Sequence, residues 1–139
     1  MSANDVLKTI KDKDIEYVDL RFTDPRGKLQ HLTMDSTVVD EDLLKDGVFF
    51  DGSSIAGWKA INESDMILKP DTSRYFLDPF TSHNTAVLFC DILDAVKKTP
   101  YERDPRGVAK KAEEYLKSSG VGDKAFLWIF LQWKNSCQR

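Results

Sequence analysis

The hydrophobic pattern of the chain begins with a helical period and then changes to the period of a strand. Val6, Leu7 and Ile10 fall on one face of a 3.6-residue repeat. This spacing predicts a short amphipathic helix that runs to about Lys13. Ser2 is its expected N-cap, because a serine hydroxyl can accept a hydrogen bond from the first free backbone N–H groups of a helix.

An alternation of apolar and polar residues follows and predicts a strand with one buried face, formed by Val18, Leu20 and Phe22. Residues 24–27 are Asp, Pro, Arg and Gly, which is the order preferred in a type I turn. A second strand should come next, with its alternate residues on one side: Gln30, Leu32 and Met34. The two strands together predict a hairpin.

Further along the chain, capping residues and apolar runs mark the remaining elements of the first hundred residues. Asp40 and Gly47 bracket a short helix through residue 45, since Asp favours a helix start and Gly the position just past its end. Residues 66–68 predict a strand that stops at Pro70. Residues 86–90 are continuously apolar, as in a central strand buried on both faces. These elements predict an α+β fold in which a mixed sheet carries helices on one face.

Pro100 and the polar residues 101–103 predict a domain boundary. Beyond it, Asp104 caps a helix whose first residue is Pro105, and residues 119–120 close it. We therefore divide the chain into a first domain over residues 1–100, a single further helix within 101–125 and a tail over 126–139. We expect a compact fold over roughly residues 3–98, with the 104–119 helix only loosely attached.

Composition narrows the class of protein. The chain has 139 residues, 41% of them hydrophobic, and a formal net charge of −3, which gives no basic field for nucleic acid. Its two cysteines form no metal-binding or disulfide pattern. Charged residues near the start of the chain interrupt the apolar stretch that a signal peptide would need. The longest apolar run, residues 125–131, is shorter than the roughly 20 residues that span a bilayer. A cytoplasmic protein with no membrane partner is expected.

The candidate chemistry is concentrated in the polar loop over residues 51–58 and in the acidic segment over 62–65. The loop holds an acid, two hydroxyls, two glycines and a tryptophan, and no helix or strand period fits it. Loops that carry such groups are frequent sites of function. The alternative is a connecting loop whose Asx and Ser turns satisfy their own backbone.

The motifs of this loop, in their order and spacing, resemble the amino-terminal domain of bacterial type I glutamine synthetase. The resemblance rests on residues 51–54, Trp58, residues 62–66 and residues 70–71, with agreeing segments at 18–24, 78–80, 90–93 and 103–106. It implies a β-grasp fold followed by one helix of an incomplete catalytic domain. It also implies ATP-dependent ligation of glutamate and ammonia with Mg²⁺ or Mn²⁺, in a homo-oligomer of identical subunits.

The resemblance further implies a role for each residue of the loop. Asp51 would hold ammonium and help to remove its proton, and Ser54 would orient that wall of the site by hydrogen bonding. Trp58 would pack at the interface with a neighbouring subunit, whose active site this domain completes. Asp65 would contribute to the ammonium pocket, with a turn or cap acid as the alternative.

The sequence departs from the family from about Phe126 onwards, where the family begins a strand with metal-ligating glutamates. No Asp or Glu follows Asp123, and divalent cations of this kind need carboxylate oxygens. We therefore expect no metal or cofactor site in this chain, no catalysis by the chain alone, and an aggregation-prone tail over 126–133. The chain is interpreted as a truncated synthetase domain. The alternatives are a free β-grasp interaction module and a non-functional truncation product.

Two other groups of residues receive structural interpretations. His31 and His83 have no ligand-forming partner at a suitable spacing and are predicted to lie on the surface. A basic cluster near the start of the last helix is interpreted as a solvated face: Arg103, Arg106, Lys110 and Lys111.

Overall fold

The computed structural model describes residues 2–58 and 64–125. The chain divides into two compact units, Met1–Ala109 and Lys110–Arg139. The sheet, the hydrophobic core and the polar loop all belong to the first unit. The expectations for residues 62–63 and for the tail over 126–139 lie outside the described residues.

The chain opens with α1 (Ala3–Asp12), and its start is the predicted one. The Ser2 hydroxyl accepts a hydrogen bond from the backbone N–H of Asp5, and the Asp5 carboxylate accepts one from the backbone N–H of Ser2. This reciprocal pair is a capping box, which satisfies two donors that a helix start would otherwise leave free. Val6 and Ile10 are buried, so the predicted apolar face is confirmed.

The predicted hairpin is present as β1 (Tyr17–Thr23) and β2 (Leu29–Asp35), which pair antiparallel. The turn between them closes through a bond from the backbone N–H of Gly27 to the carbonyl of Asp24. The Asp24 carboxylate also accepts the backbone N–H groups of Arg26 and Lys28 at 2.9 Å each. A single acidic side chain therefore fixes the register of the hairpin.

The sheet contains six strands, and the continuously apolar segment lies at its centre as predicted. This strand, β6 (Thr85–Asp94), pairs parallel with β1 and antiparallel with β4 (Asp65–Pro70). The strand order is β2-β1-β6-β4-β3, in which β3 is Val48–Asp51, and β5 (Phe76–Leu77) is also paired to β6. The fully buried side chains at the centre of the core are Val18, Leu20, Met66, Leu68, Leu88 and Ile92.

Two strands were not predicted, and both are short. The first, β3 (Val48–Asp51), pairs with β4 and forms one edge of the sheet. It follows α2 (Glu41–Asp46), which begins at the predicted cap, Asp40, and ends at Gly47 with a φ of 88°. The second, β5, has only two residues, which are too few to show a period.

The last helix, α3 (Pro105–Ser118), begins after Asp104, and no residue of it is buried. Asp104 itself is 1% exposed. Its carboxylate accepts the backbone N–H groups of Arg106 and Gly107, as an N-cap does, and also that of Ile92 on β6. The division between the two units falls after Ala109, within this helix, and the proposed domain boundary at residue 100 stays a prediction.

Asp104→Ala is expected to lower the free energy of unfolding by about 1–3 kcal/mol, because it removes a helix cap and leaves the buried N–H of Ile92 without its acceptor. Urea denaturation followed by circular dichroism measures this loss. The matched control is Asp40→Ala, which removes an exposed cap with one backbone bond, to Leu43. Equal losses in the two variants would contradict the special role of the buried carboxylate.

Candidate functional site

The polar loop begins where the edge strand β3 ends. Asp51 is the last residue of β3, and a 3-10 turn over Gly52–Ser54 follows directly. The backbone N–H of Gly52 donates to the carbonyl of Ser64 at 2.7 Å, which extends the pairing of β3 with β4 by one step. A side chain at Gly52 would lie 2.3 Å from Met66 Sδ, so this close approach requires glycine. The loop therefore starts from a fixed position on the sheet.

Two acidic side chains lie opposite each other at this edge. Asp51 pairs with Asp65 in the antiparallel register of β3 and β4, and both residues are exposed. Directly opposed residues of antiparallel strands place their side chains on the same face, with Cβ atoms about 4.5–5.5 Å apart. Two carboxylates on one face can both accept bonds from one small cation. The arrangement can hold a small cation.

The Asp51 carboxylate is held by the serines of the loop. Its Oδ1 accepts the Ser53 hydroxyl at 2.6 Å and the Ser53 backbone N–H at 2.8 Å. The bonds from Ser53 hold the pKa of the Asp51 carboxyl below its usual value, with smaller contributions from the hydroxyls of Ser64 and Ser54. Asp51 is therefore ionised at neutral pH and presents a negative charge to solvent.

Ser53→Ala is expected to raise the pKa of Asp51, because the variant removes the hydroxyl that contributes most to lowering it. Since the folded-state pKa is lowered, ionised Asp51 stabilises the loop above the pKa of the unfolded chain, and this contribution is lost as pH falls through the folded pKa. Carboxyl ¹³C shifts followed by NMR during an acid titration measure the change. Thr37→Ala is the control. It removes a hydroxyl that bonds Asp35 in the same kind of turn, so it should leave the pKa of Asp51 unchanged. An unchanged titration of Asp51 in Ser53→Ala would contradict the assignment.

Trp58 closes the described part of the loop and anchors it in the core. Its indole is 5% exposed, stacks on Phe22 at a centroid distance of 5.6 Å and meets Phe50 and Tyr101 edge-on. Its Nε1 is buried and has no hydrogen-bond acceptor in the described part of the chain. The ring therefore packs within its own unit, and the predicted role of Trp58 at a subunit interface stays a prediction.

The edge strand also carries an exposed aromatic side chain. Phe49 is 66% exposed, and it lies two residues before Asp51 on the same face of β3. An exposed aromatic ring on an edge strand can contact another protein, since aromatic residues are enriched in interfaces.

The two histidines are exposed, as predicted, but each has a carboxylate partner that the sequence did not reveal. His31 Nδ1 lies 2.8 Å from an oxygen of the buried Asp19, and His83 Nδ1 lies 3.0 Å from one of Glu16. The first pair forms across the β1–β2 hairpin and the second joins residues 67 apart in sequence, so neither follows from local spacing. Both histidines line a shallow cleft of about 370 Å³.

Among residues 2–58 and 64–125, no three His, Cys, Asp or Glu side chains form a group that could hold a metal ion. The donor set at the loop, two opposed carboxylates and serine hydroxyls, suits a small monovalent cation better than a divalent metal, which takes more carboxylate oxygens.

Comparisons with known proteins assign the family. A family model described as "Glutamine synthetase, beta-Grasp domain" matches residues 14–95. The chain is 64% identical over 126 residues to the glutamine synthetase of Rhizobium meliloti (strain 1021), and 60% identical over 126 residues to that of Bradyrhizobium diazoefficiens. Each match covers 91% of this chain and 27% of the relative.

This chain belongs to the glutamine synthetase β-grasp family. The predicted β-grasp arrangement is thereby confirmed, and a solved structure agrees with it. The fold superposes on the Plasmodium falciparum glutamine synthetase with a TM-score of 0.77 at 26% identity, over 86% of this chain and 23% of that one. The chain thus spans about a quarter of the length of the glutamine synthetases that it matches.

Sequence reasoning missed two side chains that hold the loop of this β-grasp domain. The Tyr101 hydroxyl donates to the carbonyl of Trp58 at 3.0 Å, and Arg103 Nη1 donates to the carbonyl of Gly57 at 3.0 Å. Arg106 was also misassigned, because it bonds the carboxylates of Asp71 and Asp91. The interpretation of the basic cluster as a solvated face is therefore wrong for Arg106, which is half-buried, while Arg103 is exposed as predicted but also bonds the loop. Their acceptors are distant in sequence and include backbone carbonyls, which leave no signal in a residue pattern.

None of the helices described in residues 2–58 and 64–125 has the length and apolar character needed to cross a bilayer.

Proposed function

We propose that this chain supplies the ammonium-side wall of a glutamine synthetase active site to a neighbouring subunit. The observation that carries the proposal is the pair of exposed acids, Asp51 and Asp65, opposed on the edge of the sheet. An ammonium ion is a small cation whose N–H groups can donate to both carboxylates, and such charge-assisted bonds are strong. The relatives are named glutamine synthetases, and the resemblance to that family implies a reaction in which ammonium is a substrate.

Asp51 and Ser54 are the proposed catalytic residues. A carboxylate that stays ionised at neutral pH stabilises the ammonium cation, and it can accept a proton as ammonia is released to attack. Ser54, exposed next to the Asp51 turn, is proposed to orient this wall of the site by hydrogen bonding. Asp65 is proposed as the second carboxylate of the ammonium pocket.

The proposed partner is a second glutamine synthetase subunit of the same kind. Phe49 supports it, because its exposed ring shares a face with Asp51 on an edge strand. Trp58 is proposed to line the interface side of the loop while its indole anchors the loop in the core. ATP and Mg²⁺ or Mn²⁺ are proposed to bind to the part of a full-length synthetase that lies outside the segment matched by this chain.

A graft tests this proposal. In the graft, the matched residues of this chain replace the corresponding segment of the Rhizobium meliloti glutamine synthetase, a segment of 126 residues with 64% identity. We expect the graft to form glutamine from glutamate, ammonia and ATP with Mg²⁺ or Mn²⁺. The 139-residue chain alone should form none in the same assay.

The parent synthetase is the control for activity, and size-exclusion chromatography with light scattering is the control for assembly. A graft that assembles like the parent but forms no glutamine would contradict the proposal. Glutamine formation by the chain alone would contradict the part of the proposal that requires a partner subunit.

A further inference from the structure

The segment over residues 100–104 lies against the far end of the polar loop. It follows β6 and is fixed to that strand by a bridge between Pro100 and Leu93 and by a bond from the backbone N–H of Tyr101 to the carbonyl of Ile92. The buried Asp104 carboxylate accepts the N–H of Ile92 as well. The segment is therefore tied to the central strand of the sheet at several points.

Two side chains of this segment bond successive carbonyls of the loop. The Tyr101 hydroxyl donates to the carbonyl of Trp58 at 3.0 Å, and its ring packs edge-on against the indole at a centroid distance of 5.8 Å. Arg103 Nη1 donates to the carbonyl of Gly57 at 3.0 Å and reaches that of Trp58 at 3.5 Å. A guanidinium presents several N–H groups in a fixed plane, so it can hold two neighbouring carbonyls at once.

The geometry of the loop explains why these bonds matter. Gly57 has a φ of 91°, and a Cβ added there would meet no atom within 4 Å. At the other end, the pairing of β3 with β4 fixes Asp51. Tyr101 and Arg103 therefore add side-chain bonds at residues 57–58 to a loop that is also held by the pairing at Asp51, by the buried side chains of Ile55 and Trp58 and by its own backbone bonds.

We propose that Tyr101 and Arg103 are positioning residues that hold the loop and thereby set the place of Ser54 and of Ser53, which bonds the Asp51 carboxylate. This inference rests on the proposed function for its consequence in catalysis, but not for its structural part. Both residues lie beyond residue 95, where the match to the β-grasp family model ends. The functional unit for the loop therefore extends to at least Asp104.

Amide hydrogen exchange, measured by NMR on the full 139-residue chain, tests the structural part. In Tyr101→Phe and in Arg103→Gln, the amides over residues 53–58 should exchange about two- to tenfold faster, as the loss of one hydrogen bond implies. Amides of β6 should be unchanged. The matched controls are Tyr115→Phe, an exposed tyrosine of α3, and Arg26→Gln, an exposed arginine of the hairpin turn. Unchanged loop amides, or equal acceleration in the controls, would overturn the proposal.

The graft tests the catalytic consequence with a readout that a loss of stability alone would not give. Tyr101→Phe and Arg103→Gln should raise the KM for ammonia about two- to tenfold and leave the KM for ATP unchanged. Arg103→Lys, which keeps a cationic donor, should restore part of the ammonia KM. If Asp51→Asn changes the use of ammonia but these variants do not, the positioning proposal fails by itself. If Asp51→Asn also has no effect, the proposed function fails, while the exchange data still decide whether Tyr101 and Arg103 hold the loop.

Discussion

Asp51→Asn in the graft is expected to lower kcat/KM for ammonia by about 10²–10⁴-fold, the range found when a positioned acid–base group is lost. The substitution keeps the shape of the side chain and its bonds from Ser53, but it removes the negative charge that would attract ammonium and accept its proton. The KM for ATP should change little, because only the ammonium contact loses its charge. Steady-state kinetics with varied ammonia and with varied ATP measure both constants.

The control for this substitution is Asp35→Asn, which removes the same charge from an equivalent turn at the end of β2. It should leave the kinetics with ammonia unchanged. The loss of kcat/KM for ammonia in Asp65→Asn should lie between the losses in Asp51→Asn and Asp35→Asn, since Asp65 is the proposed second carboxylate. An Asp51→Asn graft with the ammonia dependence of the unsubstituted graft would contradict the role assigned to the loop.

Gly47→Ala is expected to lower the free energy of unfolding of the chain by about 2–5 kcal/mol. A φ of 88° costs a non-glycine residue about 1–2 kcal/mol. The added Cβ would also lie 2.4 Å from the carbonyl oxygen of Leu68 and 2.6 Å from Ile67 Cγ2, an overlap that costs about 1–3 kcal/mol more. Gly47 directly precedes β3, so this strand and Asp51 would be displaced first. Urea denaturation measures the loss.

Gly57→Ala is the matched control, because Gly57 has a similar φ of 91° but no atom within 4 Å of an added Cβ. The free energy of unfolding of Gly57→Ala should fall only by the about 1–2 kcal/mol that a positive φ costs a non-glycine residue. The difference between the two losses of unfolding free energy then measures the steric overlap of an added Cβ at Gly47 with Leu68 and Ile67. Equal losses would show that this close packing against β4 does not contribute to stability.

Much of the fold could be predicted from residues that act locally. Ser2 with Asp5, the turn over 24–27, and Asp40 with Gly47 each satisfy backbone groups within a few residues, so their chemistry is visible in the sequence. The apolar run over 86–90 also marked β6 as the central strand, but it is not buried on both faces throughout, because Phe89 is exposed. The edge strand β3 was missed because four residues are too few to show a period.

The candidate site depended far more on tertiary pairing. The resemblance singled out Asp51 and Asp65, but only the register of β3 with β4 shows that they are directly opposed. The bonds from Tyr101 and Arg103 join residues more than 40 positions apart and end on backbone carbonyls, which any sequence possesses. The carboxylate partners of His31 and His83 were missed for the related reason that β-sheet register brings them together.

A complementation assay tests most directly whether Asp51 of one subunit acts in the active site of its neighbour. One graft carries Asp51→Asn, and a second carries the intact loop with an inactivating substitution in its Rhizobium-derived part. We predict that each is inactive alone and that co-assembly restores glutamine formation, because some interfaces then combine an intact loop with an intact catalytic part. Mixed oligomers, verified by native mass spectrometry, that still form no glutamine would contradict the account.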